Sequence, residues 1–89
     1  MIKNSVTISN KLGLHARASA KLTKLAGSFP CDVYLARGDR RVNAKSIMGV
    51  MMLAAGIGVT IDIEISGDQE QEAMDAVVDL INDKFGEGE

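Results

Sequence analysis

Aromatic residues are scarce in this sequence: Phe29, Tyr34 and Phe85 are the whole set. Three scattered rings make no base-stacking platform. A formal net charge of -2 and a pI of about 5.3 provide no basic field to hold nucleic acid. Cysteine is limited to Cys31, which excludes an internal disulfide and any Cys-x-x-Cys metal or redox motif. Only one histidine accompanies it, so there is no ligand cluster for a metal, and no cofactor is expected. Long apolar runs are missing as well. Met1 to Asn10 alternates rather than building a signal peptide's apolar core, and nothing approaches the roughly 20 apolar residues that span a bilayer. A soluble cytoplasmic protein without membrane insertion is the expectation. An 89-residue chain makes one domain, residues 1–89. Folding at that size buries roughly 60–65% of the unfolded surface, which is too little to enclose a deep, dry pocket. A surface site that borrows chemistry from partners fits better than a self-sufficient enzyme.

The patterning that is present is clear. Ile2, Val6 and Ile8 mark a half-buried strand over 2–8, and Asn10 to Gly13 reads as a loop. From Ala16 the period becomes helical, with Ala18, Leu22, Leu25 and Ala26 on one face and Arg17, Lys21 and Lys24 turned to water. Gly27 suits the position just past the helix end, and Pro30 prevents its resumption. Cys31 to Ala36 alternates, and Gly38-Asp39 supplies a hairpin turn into Arg40 to Asn43. Ser46 reads as the N-cap of a brief helix, Ile47 to Leu53. Val59, Ile61, Ile63 and Ile65 then alternate with Thr60, Asp62, Glu64 and Ser66. Asp68 and Gln71 have capping-box spacing before a last helix with Met74, Val77, Leu80, Ile81 and Phe85 inward. Acidic Glu70 and Glu72 suit its positive end. Gly86 to Glu89 is expected to fray. The order β-α-β-β-α-β-α, with strands polar on one face, predicts an α+β two-layer open-faced sandwich. A four-stranded antiparallel sheet would carry three helices on one face.

One segment carries chemistry. Gly13-Leu14-His15-Ala16-Arg17 joins a loop to a helix start, where the first backbone N–H groups lack intrahelical acceptors. Those of Ala16, Arg17 and Ala18, with the helix dipole, form a ready anion site. The same positive end favours a neutral imidazole, which keeps a nucleophilic nitrogen free to attack phosphorus. The Arg17 guanidinium then offers a fork of donors to the transferred oxyanion. Taken alone, a histidine before a helix is more often a cap or a satisfied surface residue.

The context adds more. Gly13 to Arg17 resembles the active-site motif of the HPr family, the histidine-containing phosphocarriers of the phosphoenolpyruvate-dependent sugar phosphotransferase system. Val42-Asn43-Ala44-Lys45-Ser46-Ile47-Met48-Gly49-Val50-Met51 resembles the family's regulatory-serine region, and length and element order agree over the whole chain. The resemblance implies that Enzyme I passes a phosphoryl group to Nδ1 of His15, which delivers it to IIA domains of sugar permeases. Such a carrier is turned over by partner phosphotransferases. It also implies phosphorylation of Ser46 by HPr kinase/phosphorylase where an organism has that enzyme. Ile47, Met48 and Met51 are candidate partner contacts, with Lys24 and Lys45 as a basic rim and some of the methionines buried. A transient docking surface favours a monomer. One position departs from the pattern: proline usually follows the arginine, whereas here Ala18 restores a backbone donor. The nitrogen-related phosphotransferase paralogue is the alternative within the family. A small α+β regulatory module whose His15 is only a cap is the alternative outside it.

Overall fold

Alternating isoleucines place β4 (Thr60–Ser66) inside the sheet, with Ile61, Ile63 and Ile65 fully buried beneath the helices. The computed structural model describes residues 1–87. β4 pairs antiparallel with β1 (Ile2–Thr7) on one side and β2 (Asp32–Arg37) on the other. β3 (Arg40–Asn43) completes the order β1-β4-β2-β3. The β2–β3 hairpin turns on Gly38-Asp39, where only Gly38 has a positive φ, of 59°. A two-residue hairpin of this kind asks for glycine at its first central position.

Helices α1 (Ala16–Gly27), α2 (Ile47–Met52) and α3 (Glu70–Asn82) cover one face, and a short turn, Lys84–Gly86, follows. This is the expected α+β open-faced sandwich. Leu22, Ala18 and Ala26 of α1 and Val77, Ile81 and Ala73 of α3 meet the sheet's inner residues Val33, Leu35 and Ile63 in one core. No helix among the described residues is long and apolar enough to cross a membrane.

Ser46 caps α2 as expected, its Oγ accepting from the Gly49 N–H at 3.1 Å. The far end of α2 is held from the hairpin. Arg37 donates to the carbonyls of Leu53 and Ala54, and Arg40 to that of Met52. Replacing Ser46 with Ala should cost about 1 kcal/mol. Thermal denaturation should show it as a Tm lower by about 4–8 °C.

Three expectations about helix ends and the tail are corrected. Gly27 is the last residue of α1 with ordinary helical backbone, and Ser28 closes the helix, its N–H and hydroxyl both directed to Leu25 O. The Asp68–Gln71 capping box does not form. Gln69 takes a left-handed φ of 63°, which moves the helix start to Glu70, and the Glu70 carboxylate reaches back to the Gly67 N–H at 3.1 Å. Gly86 and Glu87 are not frayed. Lys84, Phe85 and Gly86 all have positive φ, turning the chain back toward α1 with Phe85 buried and its carbonyl accepting from Lys21 Nζ at 2.6 Å. Gly88 and Glu89, the rest of that tail, lie outside the described residues.

Candidate functional site

His15 is the residue before α1, in extended conformation, and its carbonyl accepts the first intrahelical bond, from Ser19 N at 2.8 Å. The amides of Ala16, Arg17 and Ala18 therefore precede the helical ladder and have no acceptor within it. The His15 ring does not cap the helix. It folds back so that Nδ1 stands 3.0 Å from Gly13 O, while Nε2 stands 3.0 Å from Glu87 Oε2.

Gly13 makes this placement possible. Its φ is 64°, and a Cβ built there would lie 2.5 Å from Ala55 O and 2.7 Å from the Gly56 Cα. Only glycine lets the loop approach that backbone so closely. Leu14 N then bonds Ala55 O at 2.9 Å, and Leu14 is buried. Two polar side chains inside the core secure the corner. Asn10 donates to Gly13 O at 2.9 Å, and Ser19 Oγ donates to Leu14 O at 3.2 Å.

Arg17 is exposed and forms no ion pair among the described residues. His15, Ala16, Arg17, Lys11, Leu12, Lys21 and Glu87 line one shallow surface depression. The structure thus brings together the histidine, the arginine and the free amides named from sequence. It adds Glu87, which sequence reasoning assigned to a frayed end.

The exposed apolar surface is larger than expected. Ile47, Met48, Met51 and Met52 are all exposed, Met48 at 69%. The expectation that some would be buried fails because six residues give α2 a single inward side chain, Val50. Leu12 at 66% and Ile57 at 62% extend the exposed apolar set, and neither was singled out from sequence. Their signal was an apolar residue in a loop with no periodic partner. Lys24 is exposed on α1, whereas Lys45 is half-buried, with its Nζ bonded to Phe29 O at 3.0 Å. Ser46 is exposed at the start of α2, which packs against α1. Among the described residues no group of carboxylates, His and Cys gathers to hold a metal.

Comparison with known proteins gives one family. Residues 2–83 match the family model described as the PTS HPr component phosphorylation site. The chain is 64% identical over 89 residues to the phosphocarrier protein HPr of Cupriavidus necator, covering 100% of both. It is 41% identical to the phosphocarrier protein NPr of Shewanella violacea, over 97% of this chain and 94% of that one. The crystal structure of HPr from Thermoanaerobacter tengcongensis superposes with a TM-score of 0.94 at 42% identity, covering 98% of both chains.

Proposed function

The chain belongs to the HPr family of phosphotransferase-system phosphocarriers, and from that premise we propose that His15 takes the phosphoryl group on Nδ1 and hands it on. The observation that carries this reading is an imidazole at a helix start whose first three amides have no hydrogen-bond partner among the described residues, with an exposed arginine lining the same depression. Phosphoryl transfer between two histidines needs in-line placement and charge stabilisation and little else from the protein. The amides of Ala16, Arg17 and Ala18 supply fixed donors for the transferred oxygens, and the Arg17 guanidinium neutralises them from solvent. A carrier of this kind does not complete a reaction alone. Enzyme I loads it, and IIA domains of sugar permeases unload it, each through a transient interface at the same exposed corner.

Loading with phosphoenolpyruvate and Enzyme I tests this. One phosphoryl group should appear, labile in acid and stable in base, and mass spectrometry should place it on His15. A label on a hydroxyl residue, or none, refutes the assignment.

The docking face is built on the exposed apolar residues Ile47, Met48 and Met51 of α2, with the exposed loop residues Leu12 and Ile57 as further candidates. Flexible thioethers suit a surface that meets several acceptors. Lys24 stands free to meet acidic partners, while Lys45 serves first to tie the α2 approach to Phe29. Met48→Glu should raise the KM for Enzyme I about tenfold by desolvating a charge in the interface. Its Tm should stay within a few degrees of wild type, because Met48 contributes little to the core.

Ser46 is the proposed acceptor for HPr kinase/phosphorylase. The residue is exposed at the start of α2, and a phosphate there adds charge to the docking face. The NPr relative keeps the nitrogen-related branch as the second reading. Which IIA protein discharges the loaded carrier separates the two.

A further inference from the structure

The His15 ring lies between two oxygen acceptors, Gly13 O at Nδ1 and Glu87 Oε2 at Nε2, each 3.0 Å away. A neutral imidazole has one N–H, so it can satisfy only one of them and must present a lone pair to the other. The two acceptors are unequal. A carboxylate holds an N–H more strongly than a peptide carbonyl does.

Glu87 is not there by chance of a loose end. Its Oε1 accepts from Asn10 Nδ2 at 3.1 Å, and that same amide group donates to Gly13 O. The Asn10 side chain is fully buried, and its Oδ1 is left without a partner among the described residues. Its NH2 is thus aimed at the two acceptors that flank His15, at the expense of its own oxygen. The chain reaches this point through three successive left-handed residues, two of them, Lys84 and Phe85, without glycine's freedom. Such backbone strain persists only where surrounding contacts enforce it. Here those contacts are the burial of Phe85 and the Lys21 bond to its carbonyl.

We propose that Glu87 is a positioning residue that sets the tautomer of His15. It keeps the single proton of the neutral ring on Nε2 and so leaves the lone pair on Nδ1. The proposal rests on the reading of Nδ1 as the phosphoryl acceptor. With the proton so placed, the Nδ1 lone pair lies unfavourably against Gly13 O, and a small pivot of the ring about its Nε2–Glu87 contact relieves this and opens Nδ1 to the incoming group. In the transfer a bond forms between Nδ1 and phosphorus as the bond from phosphorus to the donor histidine breaks, and the donor nitrogen recovers that electron pair. Nε2 keeps its proton throughout, so the accepting ring gains the positive charge that the donor ring loses. Glu87, on the opposite edge from Nδ1, offsets that charge without crowding the phosphoryl oxygens. This division of labour, a carboxylate fixing one ring nitrogen so that the other can react, is a general device of histidine chemistry.

Because His15 is the only histidine, ring nitrogen-15 NMR on the imidazole-labelled protein reads it without ambiguity. At a pH where the ring is neutral, the wild type should be predominantly the Nε2–H tautomer. Glu87→Ala should move the tautomer ratio about tenfold toward Nδ1–H, the effect of losing one charge-assisted hydrogen bond while Gly13 O remains. Glu87→Gln, which keeps an acceptor without its charge, should fall between them. Phosphoryl acceptance from Enzyme I should drop several-fold in kcat for Glu87→Ala with KM little changed. An unchanged tautomer ratio in Glu87→Ala overturns the proposal. A shifted ratio in a protein that Enzyme I never labels overturns instead the assignment of His15 as carrier, since the tautomer measurement needs no phosphoryl group.

Discussion

Replacing His15 with Ala is expected to reduce phosphoryl acceptance to background while the fold stays intact. The chain has no other imidazole, and its one cysteine is buried. The side chains that share the depression, Lys11, Lys21 and Glu87, are charged groups that offer no neutral imidazole nitrogen to phosphorus. The helix start does not depend on the ring either, because the bond from Ser19 N goes to the backbone carbonyl of residue 15. The ring's polar contacts are the approach of Nδ1 to Gly13 O and a partly exposed pair with Glu87, so their loss should cost no more than about 1 kcal/mol. Labelling with phosphoenolpyruvate and Enzyme I, set beside a thermal melt, checks both halves. Retained labelling would remove His15 from the chemistry altogether.

Gly13→Ala should produce the largest change in stability together with a loss of transfer. A left-handed φ costs an alanine about 1 kcal/mol relative to glycine. The clash is worse, because the new Cβ would fall 2.5 Å from Ala55 O and 2.7 Å from the Gly56 Cα. Both are backbone atoms, and neither can rotate aside. The loop must lift from the 55–56 segment, weakening the Leu14–Ala55 bond and exposing Leu14. Together these should cost about 3 kcal/mol. The Tm should fall on the order of 15 °C in a domain this small. Because His15 follows two residues later, a shift of about 1 Å should lower transfer by about a hundredfold even in the fraction that folds. Gly38→Ala is the control. Its φ is also positive, at 59°, but a Cβ there meets nothing within 4 Å. It should therefore show only the backbone cost and normal transfer.

The contrast between these glycines shows where sequence is readable. Ser46 as a cap, the Gly38-Asp39 turn and the isoleucines of β4 were legible because each depends on a few adjacent residues. The loop-to-helix step at His15 was legible for the same reason, and so was its anion-binding character. Gly13 was legible as a loop glycine and as the first residue of the histidine motif, but not in its steric role, which depends on Ala55 and Gly56, far along the chain. The Asp68 capping box failed because Gln69 entered a left-handed conformation that no local pattern announces. Glu87 was missed for the strongest reason. After Phe85 periodicity ends, and a left-handed turn containing lysine and phenylalanine runs against residue preference. Tertiary burial of Phe85 decides that turn.

The sheet order also has a temporal side. β1 lies at the edge and pairs only with β4, joining Ile2 to Ile65 and Val6 to Ile61. Such a pairing closes a loop from residue 2 to residue 65, so it should follow the more local β2–β3 hairpin in any economical order of folding. During synthesis the first strand leaves the ribosome with nothing to pair against until residues 60–66 have emerged. The corner that presents His15 waits on the same event, since Leu14 needs Ala55 and the ring needs Glu87. A growing chain therefore carries its histidine early, while the contacts that shape the corner around it come from residues 55 and 87, made much later.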